Sequence, residues 1–157
     1  MKSILTTLSL MILVMIAGCR VEEAATAPSE SSEEQGHSHS HGDAPHGGTV
    51  FDWGGGAYHA EFTVNHDEQK ATVYILGSNA RDAEPIKADE INLAIVDPEI
   101  QIALKAEPLH GEEEGMSSRF SGTHENLGIV QEYEGKVFGT VDGKPYSGSF
   151  KELAHDH

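Results

Sequence analysis

The sequence predicts an all-β domain, an antiparallel, immunoglobulin-like β-sandwich of about seven strands, and three observations carry that expectation. Apolar residues recur with period two rather than 3.6, in short runs rich in Val, Ile, Phe and Tyr. Gly, Asp, Asn and Pro clusters separate the runs at the spacing of tight turns. The patterned region, residues 46–153, has the length of one domain with one modest core.

Two segments precede that region. Residues 1–18 carry a single cation, Lys2, then an apolar run from Ile4 to Ala17 that is too short for a stop-transfer helix and ends in small residues, so they read as a signal peptide. The ending "IAGC" resembles the lipobox of bacterial lipoproteins, which makes Cys19 the expected lipidation site and the first residue of the mature chain. As the chain's only cysteine, Cys19 has no partner for an intramolecular disulfide, and once lipidated it is lost as nucleophile or metal ligand. Residues 19–45 hold almost no large apolar side chain after Val21 and are rich in Glu, Ser and His, the composition of a disordered tether. As a coil of that length it would span roughly 25 to 30 Å on average. Residues 154–157 form a short His-containing tail.

The expected strands follow in order: "TVFDW", "AYHAEFTV", "ATVYIL", "INLAIV", "IQIALK", "KVFGTV" and "YSGSF". Asp142-Gly143 in "VDGKPY" matches a two-residue type I′ hairpin, whose central residues need positive φ. "HDEQ" from His66 and "DPE" from Asp97 read as further tight connections, while "HENLGIVQEY" after Thr123 fits either a short helical turn or irregular chain. Alternation places Tyr58, Ala60, Phe62 and Val64 on one face of the second strand and His59, Glu61 and Thr63 on the other. Ile91, Leu93 and Ile95 point into the same core, as do Ile100, Ile102 and Leu104, each worth about 1.5 to 3 kcal/mol when buried. Trp53, the only tryptophan, is expected at the end of this core rather than against a ligand.

Charge narrows the function. The formal net charge of -16 at pH 7 argues against nucleic acid, which is gripped mainly by Lys and Arg, and favours cations. No G-x-S-x-G elbow, H-E-x-x-H pair, phosphate loop or EF-hand ladder occurs, so the chain does not read as an enzyme.

Ten histidines supply the remaining signal. Neutral imidazole is the commonest transition-metal ligand, and His37, His39 and His41 in "HSHSH" form a tract of metal-binding composition, set among Glu and Ser. In an extended chain His37 and His39 side chains stand about 6.5 to 7 Å apart, too wide for one ion, so chelation requires a bend and implies exchangeable binding. His155 and His157 in the terminal "HDH" would join that tract if both ends of the domain lie together. The glycines of "PHGGTVFDWGGGAYHAEF" could fold His46 toward His59 and Glu61, giving a mixed nitrogen and oxygen set suited to zinc or copper. The plainer reading leaves His59 and Glu61 as the exposed polar face of a one-sided sheet. His66 belongs to a turn, and Glu112, Glu113 and Glu114 beside His110 read as a solvated charge run.

The segments "PHGGTVFDWGGGAYHAEF", "ATVYILGSNARDAEPI" and "SSRFSG" resemble a family of small uncharacterised bacterial lipoproteins. They are similar also to the "HGG…YHxE…VYIL" module that accompanies some heavy-metal efflux adaptor proteins. The resemblance implies a β-sandwich in the cell envelope that handles divalent or copper-group metals, with His46, His59 and Glu61 at the matching positions. It also marks a departure: the chain has no helical hairpin or barrel domains and so does not itself bridge a pump to an outer channel. The expectation is a periplasm-facing lipoprotein, anchored to the inner or outer membrane, that binds Zn, Cu or Ni ions for buffering or for delivery to an efflux complex. The alternative is a non-catalytic structural or partner-binding lipoprotein without specific metal binding.

Overall fold

Hydrogen-bonded strands arise wherever the period-two pattern runs. The computed structural model describes residues 44–152. In chain order the strands are β1 (Thr49–Trp53), β2 (Tyr58–Asn65), β3 (Lys70–Leu76), β4 (Glu90–Ile95), β5 (Ile100–Ala106), β6 (Arg119–Thr123), β7 (Glu134–Val141) and β8 (Lys144–Lys151). A 3-10 turn, Glu125–Gly128, sits between β6 and β7. Every pairing is antiparallel, so the all-β, antiparallel class stands.

The arrangement differs from two separately bonded sheets of about seven strands. All eight strands belong to one sheet of order β1-β2-β3-β6-β5-β4-β7-β8. The added strand is β6, whose residues "RFSGT" hold one large apolar side chain, Phe120, and carry little alternation to announce a strand. It pairs with β3 along five residues and with β5 at only two positions, Lys105 with Ser121 and Ala106 with Phe120. Without β6 the hydrogen-bonded ladder would separate into β1-β2-β3 and β5-β4-β7-β8.

The sheet curls until its edges meet. Gly54 N donates to Ser147 O at 3.0 Å, and the Phe51 and Phe150 rings pack at 5.5 Å. Gly148 permits this approach, because a Cβ there would lie 2.0 Å from Asp52 O. Closing the edges covers backbone groups that an open sheet would expose to other chains.

Inside the curl the expected faces are the ones buried. Ala60, Phe62, Ile91, Leu93, Ile95, Ile100 and Leu104 are buried, with Tyr58, Val64 and Ile102 partly so. Trp53 is wholly buried, donates its indole N–H to Val137 O at 3.2 Å, and packs on Tyr58 and Tyr146. The hairpin joining β7 to β8 turns at Asp142 and Gly143, with φ of 50° and 76°, as type I′ requires. His66 and His124 hold the 3-10 turn: His66 Nδ1 lies 2.8 Å from Leu127 O, and His124 Nδ1 accepts from Asn126 N at 3.2 Å. Tyr133 fixes the chain beyond it by donating its hydroxyl to Ile129 O at 2.6 Å, with Asn126 O at 3.2 Å.

Two tests follow from this packing. Gly148→Ala should lower stability by about 1 to 3 kcal/mol, the usual cost of overpacking, measured as a reduced urea midpoint. An unchanged midpoint would show that β1 and β8 do not need the close approach. Tyr133 supplies a pH signature, because burial, with the Glu152 carboxylate as a lesser cause, raises its phenol above the ordinary value. A raised folded pKa means the folded chain binds more protons, so this stability is complete below about pH 10 and falls as pH rises toward the folded value. Tyr133→Phe should cost about 1 kcal/mol at neutral pH and flatten the alkaline decline seen in melting curves.

Candidate functional site

The site is built where the chain enters β1. Ala44, Pro45, His46 and Gly47 make a tight turn closed by Gly47 N to Ala44 O at 3.2 Å, with Pro at its second position and Gly47 at φ 77°. The turn lays His46 over the outer face of β2. Gly48 is then pressed against that strand: its N–H reaches Glu61, and an added Cβ would sit 2.1 Å from Phe62 O. Only glycine fits so close an approach.

Glu61 is the focus of this contact. Although alternation places it opposite the core, its side chain is wholly buried. Oε1 accepts from His46 N at 2.9 Å and from Gly48 N at 2.8 Å, while Oε2 lies 2.7 Å from His46 Nδ1. Tyr74, directly across from Glu61 on β3, stacks its ring on the His46 imidazole at 3.6 Å between centroids and 4° between planes. The imidazole is fixed in its plane by a carboxylate and on its face by a phenol ring.

This geometry sets the chemistry of the ring. The carboxylate is an acceptor for the Nδ1 proton, so a neutral imidazole keeps its lone pair on Nε2. Nε2 has no partner among the described residues, and the side chain is about one-third exposed (36%). A histidine whose other nitrogen is bound to a carboxylate is the arrangement that orients metal ligands. It also suits a general base, but no serine, threonine or cysteine hydroxyl or thiol is bonded to His46 among the described residues.

Two expectations are corrected. His46, His59 and Glu61 do not form a three-ligand set, and among the described residues no group of three or more His, Cys, Asp or Glu side chains is placed to hold an ion. The physical reason is that both Glu61 oxygens are taken up by three donors, while His59 Nδ1 lies 3.2 Å from Gly77 O on the β3 side. The plainer expectation, an exposed polar face, also differs for Glu61, because the turn at His46 covers it. His37, His39, His41, His155, His157 and Cys19 lie outside the described residues.

The sequence reading missed Tyr74 and the role of Gly48. Tyr74 stands out only once the register of β2 on β3 is known, since in "ATVYIL" it is simply an outward aromatic. Glu112 likewise proves to be more than a solvated charge: it accepts from Leu109 N at 2.7 Å and from Ser118 N at 3.0 Å, and the Ser118 hydroxyl also reaches it. Nearby Glu107 serves the sheet: a hydrogen bond from Ser121, with Lys70 and Arg119 also close, holds its carboxyl below the ordinary value.

Comparison of the chain with protein-family models, curated proteins and solved structures finds no match.

The buried carboxylate gives a direct test. Glu61→Ala leaves the His46 and Gly48 amides without their acceptor and should cost about 2 to 4 kcal/mol, since hydrogen bonds to a charged group are each worth about 1.5 to 3 kcal/mol and part of the loss is recovered by water. Chemical denaturation measures the loss. Stability within about 0.5 kcal/mol of the parent would mean that the turn is held by something else.

Proposed function

We propose that the protein is a membrane-anchored, periplasm-facing lipoprotein that binds transition-metal ions, Zn²⁺, Cu²⁺ or Ni²⁺, for buffering or for delivery to an efflux system. The observation that carries this reading is the bond between buried Glu61 and His46 Nδ1, which leaves Nε2 without a hydrogen-bond partner among the described residues on a ring held by Glu61 and Tyr74. An imidazole held in this way binds a metal with less loss of rotamer freedom than a free side chain. Because its oxygens are bonded to the turn, Glu61 acts behind the ligand, orienting it.

One imidazole does not hold an ion tightly, and the reading assigns the remaining positions to the histidine tract His37, His39 and His41, with His41 five residues before His46. Neutral imidazoles suit all three ions. The net charge of -16 raises the local concentration of cations, and the likeness of the "HGG" and "YHAE" segments to a module beside metal-efflux adaptors points the same way. Lipidation at Cys19 would supply the membrane anchor.

A second reading draws on exposed apolar side chains. Val96, Val130 and Phe138 are all exposed, which suits a domain that docks on another protein and uses its histidines only for solubility.

Zinc titration of the mature chain by calorimetry separates the two. His46→Ala should abolish the tightest binding phase, and Glu61→Gln, which keeps the volume but changes the ring's partner, should weaken it about 10- to 100-fold. Identical isotherms for all three proteins would remove the metal reading and leave the docking one. Melting without metal, measured alongside, reports any loss of fold.

A further inference from the structure

We infer that the outer face of β4, β7 and β8 carries a binding site for a short oligosaccharide, in which the Phe138 ring stacks on one face of a sugar. The site is separate from the turn at His46, and the inference does not depend on the metal-binding reading.

Alternation and register build the site. Ile91 and Leu93 of β4 and Val137 and Val141 of β7 are buried in the core, so Glu90, Asn92, Lys136, Phe138 and Thr140 face outward. Phe138 has Asn92 of β4 directly on one side and Ser147 of β8 directly on the other, each about 5 Å away between Cα atoms. Lys136 and Thr140 flank Phe138 along β7 itself, each about 6.5 to 7 Å away. These six side chains line an open groove of about 760 Å³, within the size range of small-molecule sites.

The chemistry of the groove selects the ligand class. Phe138 is 42% exposed, while the side chains of Asn92, Lys136, Thr140 and Ser147 have no hydrogen-bond or ionic partner among the described residues. Glu90 Oε2 accepts from Lys105, which leaves Oε1 for another donor. An aromatic ring has a negatively polarised face, and it attracts the slightly positive C–H groups that a pyranose presents on one side. Sugar hydroxyls around the ring edge both donate and accept. They meet an amide, two hydroxyls, an ammonium and a carboxylate oxygen.

Other ligand classes fit this surface less well. A wholly apolar ligand would strip water from four polar side chains without replacing their bonds. A polyanion would meet Glu90 and the net charge of -16. A peptide added as a further strand needs a free sheet edge, and none is offered here. β4 lies between β5 and β7, β7 lies between β4 and β8, and β8 is bonded to the end of β1 through Ser147 and Gly54.

Cellotriose, chitotriose and mannotriose, each titrated into the mature chain, test the inference by calorimetry and by backbone amide NMR. At least one should bind saturably, with shifts confined to β4, β7 and β8. Phe138→Ala should weaken that binding at least about 10-fold and Asn92→Ala about 2- to 10-fold, while Phe138→Trp, which keeps a ring, should retain it. His46→Ala should leave it unchanged, which separates this site from the metal reading. Failure of all three sugars to bind overturns the inference, as does binding that Phe138→Ala leaves intact. Should Phe138→Ala melt early, the shifts in the parent decide: a sugar that moves amides elsewhere in the sheet, and not those of β7, also overturns it.

Discussion

A carboxylate buried beneath a two-glycine turn is the constraint on which the entry to the sheet depends. Transferring an ionised carboxylate out of water is costly unless donors replace its hydration, and a partly satisfied one is worse than none. Glu61 meets that requirement with two backbone amides and one ring nitrogen. Two of these donors belong to the main chain, so they exist only while the turn at His46 holds its shape. The carboxylate and the turn therefore require one another, and the imidazole is held in place as a consequence of that mutual need.

The same docking sets where β1 starts and so how the sheet closes. Gly48 against Phe62 O fixes the chain on one side of β2, and Val50 then falls opposite Glu61 in the β1–β2 register. From that register Phe51 and Trp53 face the core, where Phe51 meets Phe150 and Trp53 meets Tyr146 of β8. At the far side of the circuit β6 carries the continuity, pairing fully with β3 and barely with β5. The sheet is thus closed by aromatic packing and glycine contact at one seam and by two residue pairs at the other.

Much of this was legible in the sequence, for physical reasons that also explain what was not. Strands whose inner face is buried must alternate, so β2, β4 and β5 and their inward side chains could be named from residue type alone. The turn at Asp142-Gly143 was legible because few residue pairs tolerate two positive φ values. β6 was not, since its strand character comes from pairing with β3 rather than from its own polar residues. Glu61 was misjudged because alternation assigns a face but cannot say what covers that face. The cover is the turn at His46, fifteen residues away, and only the fold shows that the "PHGG" glycines serve it.

If the metal-binding reading proposed above holds, a site that fixes one ligand and takes the rest from elsewhere would have a definite thermodynamic character. Each additional imidazole must be ordered on capture, at a backbone cost of about 1 to 2 kcal/mol for every residue immobilised, which offsets part of each metal bond. A cage made wholly of strand residues would meet that cost on folding and release its ion slowly. Here the fixed group is the His46 imidazole, held by Glu61 and Tyr74, with its side chain about one-third exposed. On the metal-binding reading proposed above, such an arrangement would favour an ion that can be taken up and passed on over one built into the fold. On the same proposal that exchangeability would suit a buffer or donor, since Glu61's oxygens are bonded to the turn at His46 and Gly48.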